Sequence, residues 1–151
     1  MIDIIRYSML LYILIRESIR DIRDREIDIG VPIAYGIVVI VFNLIPEYGN
    51  IKSCIGGALL GSIVLIIALI KKESIGPGDG IMLIITGASL GAYLNLVLII
   101  RAIIFAGIGG IVLILLRKRR KMAADTMPLM PYILLSYMTI CVSCFYPEWL
   151  Q

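Results

Sequence analysis

Residues 81–116 read IMLIITGASLGAYLNLVLIIRAIIFAGIGGIVLILL, and Arg101 is the sole charge in that stretch. About 20 predominantly apolar residues cross the hydrocarbon core of a bilayer, so two crossings are expected here, 81–100 and 102–116, with Arg101 at their junction. Outward from this stretch the pattern recurs at 4–19, 31–45, 55–70 and 128–146, separated by polar connectors at 20–30, 46–53, 71–80 and 117–126. Composition agrees: 60% hydrophobic residues and a mean hydropathy of +1.00 exceed what a soluble domain of 151 residues carries, which makes lipid the expected solvent. The fold expected is therefore all-α and polytopic, about six transmembrane helices in a single domain over 1–151, with no internal repeat or linker to divide it.

Charge sets the orientation. The net charge is +3, but the basic residues cluster between apolar runs instead of lining one exposed face, which argues against a nucleic-acid partner. With the N-terminus outside, the inner connectors hold Arg16, Arg20, Arg23, Arg25, Lys71, Lys72 and the run 117–121, eleven of the fourteen Lys and Arg. That is the positive-inside pattern, with both termini outside the cell membrane and three cytoplasmic connectors. The N-terminal run, with Asp3 before it and arginines after it, reads as a retained first span and not as a cleaved signal.

Without histidine, a Ser-His-Asp triad and a His-ligated metal are both excluded within the chain. Chemistry falls to carboxylates, hydroxyls or thiols. The first candidate lies in Asp21-Ile-Arg-Asp-Arg-Glu-Ile-Asp28, where the first span leaves the membrane; taken alone, a solvated charge run is the simpler explanation. The second is Gly76-Pro-Gly78-Asp79, directly before the fourth span, where alone the simpler explanation is a turn with Asp79 as helix N-cap. Glycines on either side would also let a substrate backbone approach Asp79. Asp21 and Asp79 are separated by two crossings, so both are expected at the cytoplasmic face.

Together the two segments resemble the type IV prepilin peptidases and archaeal preflagellin peptidases, integral-membrane aspartyl peptidases. The likeness rests on Asp21 followed by a basic-rich stretch ending in Ile27-Asp28, on the Gly-x-Gly-Asp of Gly76 to Asp79, and on Met127-Pro128-Leu129-Met130-Pro131-Tyr132 opening the last span. It implies that Asp21 and Asp79 are the catalytic pair in an active-site loop containing Gly76 and Gly78, with no cofactor and no metal. The substrate implied is a prepilin-like protein with a short basic leader, a glycine before the cut and an apolar helix after it. Two departures stand out: Ile81 occupies a place where Lys is common, and Asp28 one where Pro is common. The paired Cys-x-x-Cys domain of the larger bacterial members has no counterpart, so the resemblance is to the short form; Cys141-Val-Ser-Cys144 is expected to be a packed structural pair, and Cys54 sits near an outer connector.

Two carboxylates hydrolyse a peptide bond when one is ionised and the other protonated, and like charges held close titrate as one coupled pair. The positive end of the fourth helix points to Asp79 as the ionised member and Asp21 as the proton carrier. Asp24, Glu26, Asp28 and Asp125 could attract a basic leader, though exposed ion pairs contribute only about 0–1 kcal/mol each. The competing class is a non-enzymatic transport or scaffold component whose aspartates bind ions or hold structure. Position separates the two readings, since an ion path favours acids at mid-membrane.

Overall fold

The computed structural model describes residues 2–24, 28–45, 50–70, 76–117 and 128–145. Helix α1, Ile2–Arg23, buries Leu10, Ile13, Leu14, Glu17, Ser18 and Asp21, a stripe at three- and four-residue spacing. Its opposite face exposes Ile4, Ile5, Tyr12, Ile15, Ile19 and Ile22. The buried stripe thus becomes polar toward its C-terminal end while the outward face stays apolar, the arrangement that suits lipid outside and not water.

Asp28 Oδ1 accepts the Gly30 N–H at 3.1 Å and starts α2, Gly30–Leu44. This helix buries Pro32, Tyr35, Gly36, Val39 and Asn43. Asn50 caps α3, Ile51–Ile70, through the N–H groups of Lys52 and Ser53 at 3.1 and 3.3 Å, which starts the helix four residues before the apolar run that revealed it. Helix α4 covers Pro77–Arg117 and α5 covers Met130–Phe145. Among the described residues, Ile51–Ile70 and Pro77–Leu113 are long and apolar enough to cross a membrane, and Gly30–Leu44 and Met130–Ser143 are shorter apolar helices.

The expected junction at Arg101 is corrected. Helix α4 runs through Arg101, whose guanidinium donates to Thr139 Oγ1 of α5 at 3.1 Å, and breaks at Gly91 instead. Gly91 has φ 80° and ψ 175°, backbone that a side chain rarely allows, and an added Cβ would lie 2.3 Å from Ser53 Oγ. Beyond the break the chain doubles back. Thr86 Oγ1 donates to Asn95 Oδ1 at 3.0 Å and Asn95 Nδ2 donates to Leu83 O at 3.2 Å, pairs that a straight helix would hold about 13 and 18 Å apart. The same Nδ2 donates to Gly57 O of α3 at 3.0 Å, so one buried amide ties both limbs of α4 to α3. Close approach permits this: a Cβ on Gly57 would sit 2.1 Å from Gly87 O. Counting its limbs, 77–90 and 92–117, separately, the described residues form six helical rods.

The apolar core joins α1, α4 and α5 through Leu10, Leu14, Met82, Leu98, Met130, Ile133 and Tyr137. Polar ties cross the bundle as well. Tyr35 Oη of α2 donates to Arg6 O at 2.9 Å and meets Ser89 Oγ at 2.8 Å, and Tyr137 Oη donates to Tyr7 O at 2.9 Å.

Candidate active site

The α1 stripe ends at Asp21, 8% exposed, against the start of α5. There Leu129, whose carbonyl accepts the N–H groups of Tyr132 and Ile133, stands at the N-cap position with a side chain that can accept nothing. Pro131 brings no N–H to satisfy. The missing acceptor is supplied by Asp21, whose Oδ2 takes the Met130 N–H at 3.0 Å. An acid of the first helix therefore caps the last.

Asp79, 7% exposed, is the third residue of α4 and not its N-cap, as the sequence had suggested. The helix begins two residues earlier because proline is well suited to the first helical position. Asp79 donates its N–H to Gly76 O at 3.1 Å, and its Oδ2 lies beside Gly76. That leaves Asp79 Oδ1 buried with no hydrogen-bond partner. Gly76 is exposed and Gly78 half-buried beside it. The two aspartates lie within electrostatic reach of each other.

One acid escaped the sequence reading. Glu17 is fully buried, accepting Arg16 Nη1 and, through Oε2, the Asp28 N–H at 3.0 Å. Its spacing from Asp21, one helical turn, was the available signal.

The acidic residues that could draw a basic leader, more simply read as solvated connectors, fare differently. Asp24 is exposed, 3.7 Å from Arg23. Asp28 is occupied, with Arg16 and Arg20 each 2.7 Å from its Oδ2; the Arg16 hydrogen bond, the Gly30 N–H and Arg20 hold its carboxyl well below the usual range, at about 2. Glu26 and Asp125 lie outside the described residues, as does the basic run from 118 to 121. Ile81 packs half-buried against the core, which is where an apolar residue belongs. Cys54 and Cys141 are free thiols. Among the described residues no group of three or more His, Cys, Asp or Glu could hold a metal ion.

No curated protein and no solved structure matches the chain significantly. A family model does: that of the type IV leader peptidase family matches residues 7–116, a segment that contains Glu17, Asp21, Gly76, Gly78 and Asp79 and stops short of Met130. With most of its length so matched, the chain belongs to the type IV leader peptidase family.

Proposed function

We propose that this peptidase is a membrane aspartyl endopeptidase that removes the short basic leader from prepilin-like proteins at the cytoplasmic face, with Asp21 and Asp79 as its catalytic pair. The observation that carries the reading is that two buried carboxylates from helices far apart in sequence lie within electrostatic reach of each other, each near a helix end, and one oxygen, Asp79 Oδ1, is left without a partner. Burying an unpartnered polar atom costs roughly 1–3 kcal/mol, a penalty retained where the atom has a task.

Hydrogen bonding assigns the roles in the opposite order to the helix-end argument. The Met130 N–H points at Asp21 and suits an ionised carboxylate, whereas Asp79 Oδ1 faces no donor and suits a protonated one. In this scheme Asp21 takes a proton from a water molecule held between the pair. The hydroxide attacks the scissile carbonyl while Asp79 gives its proton to the carbonyl oxygen. Collapse of the tetrahedral intermediate returns the hydroxyl proton to Asp79 and expels the amine, which takes the proton held by Asp21, so both acids end as they began.

In the same reading the six rods are membrane crossings, both termini lie outside, and the isoleucine-rich outer surfaces of α1 and α2 face lipid. The substrate's apolar helix lies in the bilayer while its leader stays in the cytoplasm. Co-expression with a prepilin-like protein tests the proposal. Wild type is expected to shorten the substrate, and Asp21→Asn and Asp79→Asn each to leave it uncut while remaining in the membrane fraction. Cleavage near the wild-type rate in either variant would remove the mechanism.

A further inference from the structure

Glu17 is a fully buried carboxylate that the mechanism does not use. A buried acid is tolerated only when its oxygens are met, and two groups meet these: the Arg16 guanidinium at Oε1 and the Asp28 backbone N–H at Oε2, 3.0 Å away. The second tie joins the turn of α1 just before Asp21 to the residue that opens α2. Asp28 adds to it, since its Oδ2 takes Arg16 and Arg20 from α1 while its Oδ1 takes the Gly30 N–H of α2. Helix α2 is in turn fixed to α4 through Tyr35 Oη with Ser89 Oγ and through Asn43 Nδ2 with Ala88 O at 3.5 Å.

A continuous path thus runs from Asp21 along α1 to Glu17, across to Asp28, along α2, and over to the helix that carries Asp79. Rotation of α1 about its axis decides where Asp21 points, and α1 is a rigid rod over this length. The Glu17 bond pins that rotation one turn away from the acid. A proline at position 28 has no N–H to give, so the tie exists only because another residue stands there.

We infer that Glu17 is a positioning residue for the aspartate pair: by accepting the Asp28 N–H it fastens α1 to the residues that open α2 and holds Asp21 in place relative to Asp79. The inference rests on the peptidase reading for its catalytic consequence, while the tie itself is a matter of structure.

The test uses the full chain in membranes with a prepilin-like substrate. Glu17→Leu is expected to lower kcat by about 10- to 100-fold with KM within about 2-fold, as displacement of a catalytic group by a fraction of an ångström does. Glu17→Gln keeps an acceptor oxygen and recovers most of that loss. Asp28→Ala removes the ion pairs and keeps the N–H; Asp28→Pro removes both. The further loss from proline over alanine is expected to be about 5-fold or more beside Glu17 and to vanish in the Glu17→Leu background, because the two changes break the same bond. Equal further loss in both backgrounds, or wild-type kcat in Glu17→Leu, would overturn the inference. Hydrogen exchange at the Asp28 amide separates the two levels: protection should fall in Glu17→Leu and persist in Glu17→Gln. An unprotected Asp28 amide in a chain that cleaves would refute the tie alone. A wild-type chain that keeps the protection but does not cleave would refute the peptidase reading and the catalytic half of this one.

Discussion

Asp21 has two duties that substitution can pull apart. Asp21→Asn and Asp21→Ala both delete the acid and its charge, so those effects cancel when the variants are compared with each other. They differ at the start of α5. The asparagine carbonyl oxygen can still accept the Met130 N–H, whereas alanine leaves that donor orphaned in a buried site. The orphan costs roughly 1 kcal/mol, so Asp21→Ala should be less stable than Asp21→Asn by about that amount. For a chain of this size that is a difference of about 2–4 °C in Tm. Thermal melts of purified protein in detergent micelles, followed by helical circular dichroism, read the stability, and substrate shortening reads the activity. Both variants should be inactive, and only alanine should melt early. Equal melting temperatures would mean that Asp21 does not cap α5, and the account of how the acid is held would fail.

Other outcomes follow from single features. Gly91→Ala forces a side chain onto φ 80° and against Ser53 Oγ, and should destabilise the bundle by about 2–4 kcal/mol, read as a lowered Tm; a neutral result would show that the chain does not turn back there. The depressed acidity of Asp28 gives its ties to Arg16, Arg20 and Gly30 a defined pH range. A carboxyl whose folded value is lowered contributes stability above its unfolded value, about 4, and loses it as pH falls toward about 2. Protection of the Gly30 amide, corrected for its intrinsic exchange rate, should accordingly hold at pH 5 and disappear as the pH drops through that range; protection that vanishes already between pH 7 and 5 would contradict it.

Much of this was legible in the residues, because lipid imposes a simple code. Apolar runs gave α1, α2, α3 and α5 their approximate places, and Asp21 and Asp79, paired by the family resemblance, are both buried near helix ends. What stayed hidden depends on contacts between segments. Arg101 looked like a boundary because a charge interrupts an apolar run, yet Thr139 from another helix accommodates it. Gly91 looked like any glycine in a span, and only the return of Asn95 onto Leu83 and Thr86 reveals it as the corner. Asp79 looked like an N-cap because the pull of Pro77 on the helix start was not weighed. Glu17 was unremarked because its partner, a backbone N–H, leaves no mark on the sequence.

The capping of α5 by Asp21 also orders events in time. Synthesis supplies both aspartates early, yet the amide that orients the first belongs to a segment 109 residues further along. On the peptidase reading, a nascent chain carries the reagents without the means to aim them until α5 has inserted. Proteolytic competence then waits for that helix, which spares neighbouring membrane proteins from copies that have not yet reached it.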